Sequence, residues 1–310
     1  MATTATITSN YEGKSAGAII GQAFKEIDTI SKGLVTIAED VNFKLSLRKI
    51  QYTNGTTAYT CGFTPAGAIV LNENTLEPKK FKNDLDVCKE DFRATWSDSI
   101  MGPNASNPNA PADIMEALQM EILGAMAEKL ETDIWQGDSG VASEFDGFLT
   151  LFTADADIIK GGNGLTNPTA HVSESNVLDS YLKPALNAVP YSLRRKELVV
   201  AVSPDVAQMY AFKLATAGVT NGLGNTDFAL SIGRYAIQVV NGLPDENIVI
   251  FEKKNLVFGT GLLSDYNTFT LVDEDSIGLL TGKVRGKVVY SAGVGYYNPS
   301  EIVWLKYQSA

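Results

Sequence analysis

The sequence predicts an α+β fold, one long helix standing in a chain otherwise rich in strands. Three observations predict it. Residues 111–135 read PADIMEALQMEILGAMAEKLETDIW, with Ile114, Met115, Leu118, Ile122, Met126, Leu130 and Ile134 at steps of three and four. That is the period of an amphipathic helix. From residue 231 onward, short apolar runs are separated by the turn signals Gly242-Leu-Pro244-Asp245 and Tyr297-Asn-Pro299-Ser300, the pattern of successive strands. Residues 55–95 hold two strand-like runs, the second rich in charge, on either side of an irregular apolar and polar loop. They read as a long two-stranded excursion.

The helix has defined ends. Pro111 suits a first turn, where its missing N–H would be unpaired anyway. Asp113, Glu116 and Glu121 place negative charge toward the N-terminus, which the helix dipole favours. Gly137 is a natural stop. A helix of this size is about 35–40 Å long, whereas the mean helix has only about 11–12 residues. It reads as a structural spine.

The remaining elements follow in order. Residues 1–35 form an arm, in which Ser15 to Ile30 carries Ile19, Ile20, Phe24, Ile27 and Ile30 on one side. Ser15 caps this segment and Gly33 stops it. Its apolar face, with Phe24 and Ile27, packs either on its own domain or on a neighbouring subunit. Val41, Phe43, Leu45 and Leu47 alternate as a half-buried strand. In the excursion, Thr57–Phe63 is an outgoing strand and Leu76–Phe92 a returning one, with the tip near Asn74. Cys61 and Cys88 lie about evenly on either side of that tip, as free thiols or facing one another. Lys79, Lys80 and Lys82 cluster on the returning strand. They serve as a solvated edge that blocks aggregation or pair with acidic groups of a neighbouring subunit.

After the spine, Phe148–Phe152 reads as a short buried strand, and Ser175–Val189 as a helix. Arg194, Arg195 and Lys196 form a second basic knot ahead of the strand Glu197–Val202. Ser203 and Pro204 supply an N-cap and first-turn residue for a helix reaching about Ala215. Strands are expected at 235–240, 247–251, 256–258, 268–272, 283–291 and 301–307.

Composition excludes several classes. The 310 residues carry a net charge of −11, which argues against a dedicated nucleic-acid-binding surface but not against a container for nucleic acid. No apolar run reaches the ~18 residues of a membrane span, and no membrane partner is expected. The opening MATTATITSNYEGK lacks the basic and then apolar order of a secretory signal, which predicts folding in the cytoplasm. Two cysteines and one histidine, His171, leave little for zinc or histidine-dependent chemistry. No catalytic, cofactor or metal site is assigned.

The motifs that echo enzymes are weak. Gly137-Asp138-Ser139-Gly140 resembles a serine protease nucleophile, but Val141 follows where that motif has glycine, and His171 comes later in the chain. A hydrolase using Ser139 and His171 is retained as a remote alternative. Gly282-Lys283 lacks the upstream glycine of a phosphate loop, and Gly222-Leu-Gly224 lacks the third glycine of a dinucleotide turn. Glu128, Glu131 and Asp133 read as a solvated or inter-subunit face of the spine.

Four phrases in order carry a family resemblance. They are MAEKLETDIWQGDSG followed by EFDGFLTLF, then ELVVAVSPDVAQMYAF, then IGRYAIQVVNGLPDENIVIFEKKNLVFGTG, and finally KVRGKVVYSAGVGYYNPSEIVWLKY. Over residues 15–307 the chain resembles HK97-fold major capsid proteins of tailed double-stranded DNA bacteriophages. The resemblance implies an N-terminal arm at 1–35, an extended E-loop at 53–95 lying over an adjacent subunit, and a spine helix at 111–135. The spine belongs to a peripheral domain formed by 36–52, 96–189 and 266–310, and an axial domain occupies 190–265. It further implies a non-enzymatic subunit assembled in the host bacterial cytoplasm into hexamers and pentamers. The resulting virion shell encloses double-stranded DNA, with portal, scaffolding and decoration proteins as partners and no cofactor. An encapsulin-like nanocompartment is the alternative. Candidate inter-subunit contacts are Lys79, Lys80, Lys82, Arg194, Arg195, Phe24 and Ile27. The covalent lysine–asparagine crosslink of some relatives has no licensing motif here and is not expected.

Overall fold

The computed structural model describes residues 27–41, 43–53, 55–59, 61–62, 65–88, 112–217, 230–261, 270–274 and 281–308. A short helix α1 (Asp28–Ser31) leads to strands β1 (Thr36–Ala38), β2 (Leu45–Thr53), β3 (Ala68–Leu76) and β4 (Lys79–Cys88). The long helix α2 (Ala112–Gln136) and a shorter α3 (Phe148–Ala154) follow. Two-residue strands β5 (Lys160–Gly161) and β6 (Gly164–Leu165) precede a π-helical turn (Val177–Leu182) that runs into α4 (Lys183–Ala188). The rest is β7 (Leu198–Val202), α5 (Pro204–Thr216), β8 (Ser231–Ile232), β9 (Tyr235–Val239), β10 (Asn247–Glu252), β11 (Leu256–Thr260), β12 (Thr270–Asp273), β13 (Lys283–Tyr296) and β14 (Val303–Lys306).

Ten of these strands build two five-stranded sheets, and β2–β3 and β5–β6 are separate two-stranded pairs. In the first, β13 is the axis. One side pairs with β12 and β11, β11 in turn with β1, and the other side pairs with β4 from Lys283↔Cys88 to Ala292↔Lys79. The second runs β14-β10-β7-β9-β8. β7 is buried along its whole length, so its sequence LVVAV is continuously apolar instead of alternating. Its odd and even residues serve two cores. Val199 and Ala201 pack with Val249, Phe251 and Trp304 toward α2 and α3, whereas Val200 and Val202 join Ile248, Ile250 and Leu305 beneath α4 and α5.

α2 is anchored by its C-terminal turns. Leu130, Ile134 and Trp135 enter the first core with Phe148, Phe152 and Phe258, and the Trp135 and Phe148 ring centres are 5.3 Å apart. Each such side chain contributes about 1.5–3 kcal/mol by leaving water. Close approach needs missing side chains. A Cβ on Gly242 would stand 2.3 Å from the Glu131 carbonyl oxygen, and one on Gly147 2.6 Å from that of Asp133.

Several sequence expectations change here. Phe148–Ala154 is helical, not a strand. Phe148, Leu149 and Phe152 bury one helical stripe, and a five-residue apolar run gives no period by which to separate helix from strand. The excursion also pairs differently. β2 pairs with β3, from Leu45↔Leu76 to Thr53↔Ala68, while Thr57–Tyr59 is not a strand and β4 belongs to the first sheet. Asn74 therefore lies near the root of the hairpin, not at its tip. The last strand, β14, joins β10 in the second sheet, and β11 stands between β1 and β13 in the first. Ser203 precedes α5 but makes no side-chain cap; its hydroxyl instead accepts the Asn247 N–H at 3.2 Å.

Candidate assembly surface

The hairpin β2–β3 projects from the body as an arm, and its two faces differ. Strand alternation places Leu45, Leu47 and Lys49 with Leu76 and Asn74 on the side facing the body. There Leu47 and Leu76 are fully buried with Val41 and Val257. They sit in a notch made by residues without side chains. A Cβ on Gly259 would be 2.3 Å from Leu76 Cδ2, and one on Gly295 3.0 Å from Leu47 Cδ1. Asn74 Nδ2 donates to the Tyr296 carbonyl at 3.0 Å, and Lys49 Nζ to Glu301 at 2.6 Å.

The outer face grades from polar to apolar. Near the root, Glu73 accepts from Ser46 and pairs with Arg48. Farther out, the register sets Ile50 opposite Leu71 and Tyr52 opposite Ile69. These four side chains are 69, 68, 64 and 70% exposed. An isolated two-stranded hairpin is marginal in water, and a contiguous exposed apolar patch marks an interaction surface.

The expected contact residues fall in different places. Lys79, Lys80 and Lys82 lie on β4 at the edge of the first sheet, not on the arm. Lys82 pairs with Asp84. Lys80 and Lys82 rim a cleft of about 470 Å³ against α2, floored by Phe81, Met126 and Tyr290. Arg194 is occupied within its own chain, donating to the carbonyls of Val189 and Asn187 at 3.1 and 3.0 Å and lying 4.4 Å from the Tyr191 ring. It thereby satisfies carbonyls at the C-terminus of α4. Arg195 is exposed. Ile27 is 2% exposed in the first core of its own chain, and so is not available to a neighbour. Phe24 lies outside the described residues.

The acidic face expected at the end of the spine is corrected too. Glu128 is exposed, but Glu131 and Asp133 are 6 and 2% exposed. Glu131 accepts the Thr29 hydroxyl at 2.7 Å and the Thr29 N–H at 3.2 Å. Trp135 Nε1 donates to the same hydroxyl at 2.7 Å. Burial pushes the Glu131 carboxyl above its ordinary range, against the pull of the Thr29 hydrogen bonds. Asp133 accepts from Lys129 at 2.7 Å. Glu131 thus ties α1 to the spine, while Lys129, held by Asp133, also pairs with Glu144 in the turn after α2.

Cys61 and Cys88 are free thiols. The exposed Ser139 sits in the turn after α2, its N–H bound to Asp146 at 2.9 Å. His171 stacks on Tyr307 at 4.3 Å and holds Nδ1 3.0 Å from Glu246. The two residues keep separate partners, so the nucleophile–base contact of a serine hydrolase is not formed between them. Among the described residues, no helix is long and apolar enough to cross a membrane.

No protein-family model and no curated protein matches the sequence. Solved structures do match the fold over nearly the whole chain. The capsid of a native GTA particle, computed with C5 symmetry, has a TM-score of 0.57 at 13% identity, covering 99% of this chain and 94% of that one. The procapsid of satellite phage P4, including its size determination (Sid) protein, has a TM-score of 0.53 at 13% identity, with 94 and 99% covered. A virus-like particle from Pyrococcus furiosus gives 0.54 at 11% identity, with 94 and 98% covered. The fold is therefore the HK97-like capsid fold that the family resemblance implies.

Proposed function

We propose that this chain is the major capsid subunit of a tailed double-stranded DNA bacteriophage, a structural protein that assembles with copies of itself into pentamers and hexamers. The observation that carries the reading is the apolar arm. A two-stranded hairpin with Ile50, Tyr52, Ile69 and Leu71 turned to water needs a partner, and the likeness to capsid subunits along almost the entire chain supports a second copy as that partner. In this reading, 1–35 is the N-terminal arm, the β2–β3 hairpin is the E-loop while β4, the rest of the span expected for it, stays in the first sheet, 190–265 is the axial domain and the remainder the peripheral domain around the spine. Portal, scaffolding and decoration proteins are further partners, the shell assembles in the host cytoplasm, and its role in the virion is not enzymatic. The acidic balance suits a container that must not grip its contents, because basic groups facing DNA would add salt-dependent binding.

Negative-stain microscopy of the purified chain, alone and with virion components, tests this. Closed shells support it; small soluble species under every condition overturn it. The likeness to the Pyrococcus furiosus particle favours, as a second reading, a nanocompartment shell. Mass spectrometry of purified particles separates the two. Packaged DNA with a portal protein marks the phage shell, and a single protein cargo marks the compartment.

A further inference from the structure

The arm is held to the body at two points along its inner face. The first, at the root, is the plug of Leu47 and Leu76 in the glycine notch with the Asn74 Nδ2 hydrogen bond to the Tyr296 carbonyl beside it. The second is Lys49, two residues farther out along β2 and so about 6.6 Å along the strand. Lys49 Nζ donates to Glu301 Oε1 at 2.6 Å, and Glu301 Oε2 accepts Lys196 Nζ at 3.2 Å. Lys196 also holds Glu252 Oε2 at 2.6 Å. The four groups belong to four places. Lys49 is on the arm, Glu301 closes the turn Pro299–Glu301 before β14, Lys196 precedes β7, and Glu252 ends β10. Their side chains are 28, 19, 40 and 24% exposed, so solvent and salt screen them less than a surface pair.

We propose that this relay of alternating charges is a strut that fixes the angle of the arm against the body and couples that angle to the second sheet. An apolar plug is non-directional, and with the single Asn74 hydrogen bond beside it the root is one pivot about which the arm can rock. A second contact farther out removes that freedom, and charge-assisted hydrogen bonds supply direction. Because Glu301 holds a lysine on each oxygen, the arm cannot swing without breaking its pair or pulling on the start of β7. The proposal rests on the capsid reading only for the arm's purpose, which is to meet another copy at a set angle. The strut itself is testable in the unassembled chain.

The test uses two spin labels, one on the native exposed Cys61 near the arm's tip and one on Val141→Cys in the turn after α2, with Cys88→Ser removing the other thiol. Distance distributions are measured in unassembled protein. The parent is expected to give a narrow distribution, and Lys49→Met and Glu301→Gln to broaden it about twofold as the arm rocks. Lys49→Arg, which keeps the charge, restores the narrow form. Equal widths in parent and both charge-removing variants overturn the strut. So does an arginine variant as broad as the methionine one, which would assign the effect to stem packing. Failure of the parent to form shells would strike the capsid reading and leave this result standing.

Discussion

Glu131 and Glu301 show opposite uses of a carboxylate. Glu131 is buried with hydroxyl, amide and indole donors around Thr29 but no cation, and burial raises its pKa. Burial would also raise that of Glu301, but the hydrogen bonds from Lys49 and Lys196 outweigh it and the net shift is downward. The signs fix the pH behaviour. A carboxyl raised above its unfolded value of about 4.3 contributes stability that is full at lower pH and fades as pH climbs through the folded value. A lowered one contributes stability above about pH 4.3 that is lost as pH falls through the folded value. Glu131→Gln should therefore gain on the wild type as pH rises from 4 toward 7, and Glu301→Gln should lose, which urea unfolding at stepped pH will read. Thr29→Val leaves the Glu131 carboxylate and the Trp135 N–H short of partners and should cost about 2–4 kcal/mol. An unfolding midpoint equal to wild type would show that water replaces the hydroxyl.

At the level of elements, folding and assembly should separate along the arm. Ile50, Tyr52, Ile69 and Leu71 contribute little to the folded monomer because they remain in water. Leu71→Asp should shift monomer stability by no more than about 0.5 kcal/mol yet abolish shell formation. Loss of folding would mean that the patch is covered within the chain. Leu76→Ala, in the notch, should cost about 2–5 kcal/mol and loosen the arm first. The long helix was legible in the sequence because seven apolar positions repeat its period and its ends are signalled. The arm was legible as an excursion but not in its pairing. β2 and β4 both alternate, and nothing local says that β4 joins Lys283–Ala292, about two hundred residues on. Phe148–Ala154 is too short for its period to speak. The Lys49–Glu301 pair has no sequence signal at all, since only the tertiary fold brings together residues 252 apart. Glu131 looked like surface because a charged residue on a helix usually is; its burial follows from Thr29, 102 residues earlier.

For the whole molecule, net charge and the apolar arm make opposed demands on assembly. Each copy carries −11, and bringing many copies together opposes like charges over distances comparable to the Debye length, about 8 Å at physiological ionic strength. The arm's outer patch is apolar and gains from leaving water, a contribution that moderate salt does not screen. The strut pairs lie within one copy and are partly buried, so salt acts mainly on the repulsion between copies. Raising sodium chloride from about 0.05 to 0.5 M should then lower the protein concentration at which shells appear, because the Debye length shrinks several-fold over that range. Light scattering against concentration at each salt level measures the threshold. If contact instead depended mainly on lysines such as Lys79 and Lys80 meeting acidic groups of the next copy, screening would weaken that attraction and the threshold would rise. The direction of the salt effect therefore decides whether copies are joined chiefly by the apolar face of the arm or by the basic edge of β4.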